Sequence, residues 1–343
     1  MDRTSHQHQD CWYPISQSGN LNFLIGSGAS APAIKTAGAI ESEINQLLIK
    51  ADEVGANKKC LEFIEQIDSV HTRILANTDD ATIKNVTSSY SNFLTAIDKI
   101  LFMRKNILLP RQANVFTTNY DMFLEHSSSE LPFVILNDGF DRASSLSPDF
   151  SFAPERYFDR TYRTGPLGSN QSEIPTINLI KLHGSLSWRK KSDSILFDVK
   201  STPKLTATQK NDPAQVAAYL ERYFLILPNL RKFHTTLMER VYYDLLRLFS
   251  KAMDQQNVVL VSFGFSFVDE HILDISRRAL RNPTAQLIVL SYDAASAPIY
   301  QTKFSKQRNV TIIAPKAGTS IDFAKFNTIL NVIVPEKADS DAA

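Results

Sequence analysis

The feature that most constrains this chain is a series of short apolar runs, each stopping at glycine or at a small polar residue. Leu21 to Ile25 runs into Gly26, Asn114 to Phe116 into Thr117, and Ile177 to Leu182 into His183-Gly184. Val258 to Phe263 stops at Gly264, and Ala285 to Leu290 stops at Ser291. Runs this continuous read as strands buried on both faces, which is the habit of parallel sheets covered by helices. The intervening segments supply those helices. Apolar residues recur at helical spacing from Lys35 to Ile49, through Leu61, Phe63, Ile64, Ile67, Val70 and Ile74, and again through Tyr90, Phe93, Leu94, Ile97 and Leu101. A turn is expected near 77–82, and further helices over Phe233 to Met253 and Val268 to Leu280. The reading is an α/β fold, a Rossmann-like doubly wound parallel sheet whose ligand site lies at the strand tips.

Two stretches interrupt that alternation. Residues from about 52 to 108 read as a helical insertion. Residues from about 138 to 175, rich in Ser, Pro, Gly, Asp and aromatics, read as a loop-rich flap. A hairpin is expected over Ser187 to Val199, and strands at Phe133 to Leu136, Phe224 to Leu227 and Val310 to Ile313. The expected domain spans 20–334, between a polar N-terminal tail (1–19) and a disordered tail (335–343).

Composition excludes several classes. Of 343 residues 43% are hydrophobic, enough for a sizeable core. Lys plus Arg total 37 and Asp plus Glu 36, a net charge of +1, so no global field draws the chain to nucleic acid or an anionic membrane. With only 2 cysteines, Cys11 and Cys60, a four-cysteine zinc site cannot form within one chain. Met1 to Asp10 is polar, with no apolar stretch behind it, and no run is long enough to span a bilayer; the cytoplasm is the expected compartment.

The strand tips carry the chemistry. Gly26, Gly28 and Ala31 fit G-x-G-x-x-[GA], a turn that admits a pyrophosphate or is simply tight. The acidic ribose ligand of an ordinary Rossmann enzyme does not fit, because the segment after this turn is helical. Thr117-Thr118-Asn119-Tyr120-Asp121 reads as a ligand-facing cluster or as a helix cap through Thr118 or Asn119. Lys181-Leu182-His183-Gly184-Ser185 offers a general base or a hydrogen-bonded structural histidine. The segment Ser262 to His271 reads as a glycine turn with Ser266 or Asp269 as cap, or as a binding wall.

Gly26-Ser27-Gly28-Ala29-Ser30, Thr118-Asn119-Tyr120-Asp121, Lys181-Leu182-His183-Gly184-Ser185 and Gly264-Phe265-Ser266 together resemble sirtuin-like (SIR2) domains. More narrowly they resemble the SIR2-like proteins of bacterial anti-phage defence systems. The resemblance implies that Gly26, Ser27, Gly28, Ala29 and Ser30 hold the phosphates of NAD⁺. It also implies that Asn119 and Asp121 meet the nicotinamide ribose, with Asn119 positioning water, His183 acting as base and Thr118 among the residues that bind NAD⁺. Gly264, Phe265, Ser266 and Ser291 would line the adenosine side. Sirtuin deacetylases carry a four-cysteine zinc module, which this chain lacks, so the implied activity is metal-free hydrolysis of NAD⁺. A homo-oligomer is implied as well, with a separate HerA-type ATPase or an Argonaute-like subunit as partner. The competing expectations are a non-catalytic sensor of NAD⁺ or ADP-ribose, and an NAD-dependent protein deacylase.

Overall fold

A computed structural model describes residues 18–106, 108–142, 150–165, 171–191, 194–199, 204–225 and 236–332. The first half of the chain forms β1 (Asn20–Ile25), a 3-10 turn (Ser27–Ala29), α1 (Ala37–Ile49), α2 (Glu53–Leu75), α3 (Ala81–Phe102), β2 (Gln112–Thr117), α4 (Phe123–Ser129) and β3 (Ile135–Asn137). Short strands β4 (Phe140–Asp141), β5 (Phe150–Phe152), β6 (Tyr162–Thr164) and β7 (Gln171–Glu173) follow, with a second 3-10 segment (Pro154–Phe158) among them. Then come β8 (Thr176–Lys181), β9 (Gly184–Lys191), β10 (Ser194–Phe197), α5 (Ala207–Lys210), α6 (Pro213–Leu220), β11 (Tyr223–Leu225) and α7 (Thr236–Met253). The last elements are β12 (Val258–Phe263), α8 (Glu270–Ala279), β13 (Gln286–Leu290), α9 (Ala297–Lys303), β14 (Val310–Ile313) and α10 (Phe323–Asn331).

Seven strands pair in the order β14-β13-β12-β1-β2-β8-β3, every pair parallel. From β1 the chain goes to β2 on one side and later returns to β12 on the other, so the crevice between β1 and β12 is a topological switch point, where such sheets bind ligands. Alternation along β1 feeds two cores. Leu21, Phe23 and Ile25 pack with α2, α3 and α10, and Leu24 packs on the other face with residues of α7 and α8. Each such fully buried large side chain contributes about 1.5–3 kcal/mol. The stretch expected to be a helical insertion holds α2 and α3, broken at 76–80, where Asp80 caps α3 through the amides of Thr82 and Ile83. These helices form the layer over one face of the sheet.

The stretch expected to be a flap contains β4 to β7 in its described residues. Strands β4 and β5 belong to a second, antiparallel sheet of order β11-β9-β10-β5-β4. Aromatic packing is the reason: Phe140 and Phe152 close on Trp188 at 5.5 and 5.1 Å between ring centroids. Helix α10, which the sequence reading did not anticipate, covers the end of β12 by stacking Phe326 on Phe263 at 4.7 Å. Residues 1–17 of the tail expected over 1–19, the tail expected over 335–343, and the start of the helix expected from Phe233 lie outside the described residues.

One polar feature crosses the sheet. Asn22, Asn114, Asn178 and Asn137 stand in register on β1, β2, β8 and β3. Asn114 Nδ2 donates to Asn22 Oδ1 (2.8 Å), Asn178 Nδ2 to Asn114 Oδ1 (3.0 Å) and Asn137 Nδ2 to Asn178 Oδ1 (3.0 Å). Among the described residues no helix is long and apolar enough to cross a membrane.

Candidate active site

The turns after β1 and β12 touch backbone to backbone. Gly26 N–H donates to Phe263 O and Gly28 N–H to Gly264 O, both at 3.0 Å. A Cβ on Gly26 would stand 2.3 Å from Gly264 O, and one on Gly28 2.8 Å from Gly264 Cα. Gly264 itself has φ +65, which favours glycine. The structure therefore gives these glycines a reason other than room for a pyrophosphate. The amides of Ala29 and Ser30 are also spent, on Gly26 O (3.0 Å) and Ser27 O (3.2 Å). What the turn presents to the crevice are Ser27 and Ser30.

Next to it, Thr117 Oγ1 donates to Ile25 O (2.8 Å) and accepts from Asn119 N–H (3.0 Å), fixing the chain as it leaves β2. Asn119 Nδ2 donates to Gly26 O (3.1 Å), Ser30 Oγ (3.2 Å) and Tyr90 OH (3.3 Å). Ser30 gives its proton to Asp121 Oδ2 (2.7 Å), so Tyr90, 2.9 Å away, is the donor to Ser30. Asn119 Oδ1 is buried and has no hydrogen-bond partner. Helix α4 starts after Met122 with no side-chain cap, so the capping reading of Thr118 and Asn119 fails.

Behind this network lies a buried ammonium. Lys181 Nζ pairs with Glu125 Oε1 (2.6 Å) and donates to Ser185 Oγ (2.9 Å) and to the carbonyl of Asp121. Burial pushes the carboxyls of Asp121 and Glu125 up, and Lys181 pulls both back. Removing Lys181 would leave Glu125 as an uncompensated buried charge.

His183 follows β8 and precedes Gly184, whose φ of +81 turns the chain into β9. Its Nε2 lies 3.0 Å from Asp269 Oδ2, and its ring centroid lies 6.4 Å from that of Tyr120 and 6.3 Å from that of Tyr242. Asp269 Oδ1 caps α8 through Ile272 N–H (3.1 Å). A cleft of about 450 Å³ brings Ser27, Ser30, Thr118, Asn119, Asp121, His183, Gly264, Phe265 and Ser266 together. Gly26, Gly28 and Ala29 stand outside its lining. So does Ser291, which is fully buried and donates to Asp293 O at 2.7 Å.

Sequence reasoning missed several contributors. Tyr90 was one more apolar member of a helical stripe, and nothing in that stripe marks its hydroxyl. Lys35, Ser42, Asn45 and Gln46 bring polar side chains to the cleft from α1 and the segment before it. Phe63 and Ile67 of α2 line the cleft as well. Among the described residues no group of three or more His, Cys, Asp or Glu is placed to hold a metal.

Fold and crevice together define a Rossmann-like α/β domain with a polar ligand cleft at its switch point. Residues 113–313 match the SIR2-like domain, more than half of the chain, and the protein belongs to that family, whose members use NAD⁺. The match takes in Asn119, His183 and Gly264 and begins after the Gly26 turn. No curated protein matches the chain.

Proposed function

We propose that this protein is an NAD⁺ glycohydrolase that releases nicotinamide and ADP-ribose. The observation that carries the reading is Asn119 Oδ1, a buried acceptor left without a donor while the same amide's nitrogen is bound to Gly26, Ser30 and Tyr90. A buried polar atom without a partner costs free energy, and a water or ribose hydroxyl in the cleft would satisfy it. The cleft volume of about 450 Å³ is that of an ordinary small-molecule site.

In the reaction the bond from C1′ of the ribose to the pyridinium nitrogen breaks, and its electron pair stays with nicotinamide, which leaves neutral. Water held by Asn119 attacks C1′ and gives its proton to His183. Asn119 is preorganised, because the hydrogen bonds of its amide nitrogen are already in place before substrate arrives. Charge on the pyrophosphate would be met by Lys35 and by the hydroxyls of Ser27 and Ser266.

The biological role that fits is depletion of NAD⁺ in the cytoplasm by an anti-phage defence complex. Such an effector would be held silent until assembly as a homo-oligomer, with a separate HerA-type ATPase or Argonaute-like subunit. Product analysis of NAD⁺ incubated with the protein, alone and with the products of its neighbouring genes, tests the reading. Nicotinamide and ADP-ribose in equal amounts are expected. NAD⁺ bound but never cleaved under any of these conditions would favour a sensor and overturn the proposal.

A further inference from the structure

His183 and Asp269 follow β8 and β12, strands separated in the sheet by β1 and β2. At about 4.8 Å per strand, some 14 Å of sheet lies between them. Yet Nε2 of His183 and Oδ2 of Asp269 are 3.0 Å apart. The segment from Gly264 to Asp269 closes that distance by running back across the crevice. It is held on this course by a costly conformation: Phe267 has φ +54, a region that bulky side chains avoid. Its ring is fully buried, edge-on to Phe265 (5.0 Å) and Phe304 (5.1 Å), and its carbonyl accepts from Lys303 Nζ (2.9 Å). Strain maintained beside a cleft is a mark of a functional constraint.

We infer that Asp269 is a positioning residue that sets which nitrogen of His183 acts as the base. A carboxylate only accepts hydrogen bonds, so Nε2 must carry a proton. In the neutral ring the acceptor is then Nδ1, which makes no hydrogen bond to the described residues. The two oxygens of Asp269 divide their work: Oδ1 caps α8 and Oδ2 orients the imidazole. The inference rests on reading His183 as the base of NAD⁺ hydrolysis.

Asp269→Asn separates the two tasks. Its carbonyl oxygen still serves Ile272, so the cap survives, while its amino group faces Nε2 and drives the ring proton to Nδ1. Long-range ¹H–¹⁵N spectra of histidine-labelled protein, with His183 assigned through His183→Gln, read the tautomer directly. The expected result is an Nε2–H ring in the parent and an Nδ1–H ring in Asp269→Asn. Melting temperature and NAD⁺ affinity should be unchanged, and kcat for nicotinamide release should fall about 100-fold. An Nδ1–H ring in the parent, or an unchanged tautomer in the variant, overturns the inference whether or not the protein cleaves NAD⁺. An inverted tautomer with turnover within twofold of the parent overturns it too. A parent with the Nε2–H ring that never releases nicotinamide would instead count against the glycohydrolase reading.

Discussion

At the carboxyl end of the central sheet Asn119 keeps a buried side-chain oxygen without a donor, whereas Asn22, Asn114 and Asn178 spend theirs on the amino groups of Asn114, Asn178 and Asn137. Both regions border a cavity, of about 450 Å³ at the cleft and about 250 Å³ beside the asparagines. Both are lined by amides and aromatics. What separates them is how each amide's hydrogen-bonding capacity is used. In the asparagine row each of these oxygens meets a neighbour's amino group and stabilises the sheet. At the cleft one oxygen is withheld from the protein and left for something else. Polarity of lining does not separate the two regions; unspent capacity does.

The largest effect that would test this contrast is on turnover. His183→Ala and Asn119→Ala are each expected to lower nicotinamide release by about 100- to 10,000-fold, the usual share of a general base or its equivalent. NAD⁺ affinity should remain, because on the proposed reading the pyrophosphate is met by Lys35, Ser27 and Ser266. A folded variant with near-parental turnover would remove that residue from the mechanism.

In the ladder the opposite outcome is expected. Asn114→Leu leaves Asn22 Oδ1 without a donor and Asn178 Nδ2 without an acceptor. Two orphaned buried groups cost about 3 kcal/mol, readable in urea unfolding. Turnover per folded molecule should not change, and a selective loss of activity would show that the ladder serves the cleft.

His71 sharpens the rule by being an orphan away from the cleft. It is 5% exposed on α2, and its Nε2 is buried without a hydrogen-bond partner. Burial first, then the nearby charges of Lys181 and Arg189, lowers its pKa from 6.5 to about 4. A depressed value means that the folded state resists protonation. The associated stability is present above pH 6.5 and is lost as pH falls through about 4, at most about 3 kcal/mol. His71→Leu should flatten that acid limb of the stability curve and leave turnover at neutral pH intact. A fall in turnover would mean that a buried orphan suffices to mark function, wherever it lies.

Gly28→Ala should have the smallest effect. Its Cβ would press on Gly264 at 2.8 Å, costing about 1–2 kcal/mol of stability. Lost NAD⁺ affinity in a variant of unchanged melting temperature would restore the glycines to a phosphate-binding role.

Much of this was legible in the sequence because parallel strands announce themselves. Val258 to Phe263 and Thr176 to Lys181 are buried along their whole length, and the mainly apolar runs Val258 to Phe263 and Ile177 to Leu182 point to both strands. The second sheet was not legible in full. Its strands β4 and β5 have two and three residues, too short for a period, and are held by contacts from Trp188 and Phe197 far along the chain. At the site, Asn119 and His183 stood out as polar residues at strand tips. Tyr90 did not, because a tyrosine in an apolar helical stripe looks like core until its hydroxyl is seen beside Ser30. Of the two caps that the sequence offers, Ser266 and Asp269, the structure uses Asp269; the sequence pattern does not disclose the task of its second oxygen.

The asparagine ladder has one further consequence, which concerns direction. Asn137 Oδ1 accepts from Gly139 N–H, so its amino group is obliged to face Asn178. At the far end Asn22 Nδ2 is committed to the carbonyl of Asn20. Between these two anchors every amide must point the same way, since turning one alone would set oxygen against oxygen or amino group against amino group. Four groups that could each adopt two orientations therefore share a single collective one, with their dipoles aligned across four strands. Such a chain polarises along its length, each bond strengthening the next. Its rungs are thus expected to be lost together, as an all-or-none event at that edge of the sheet.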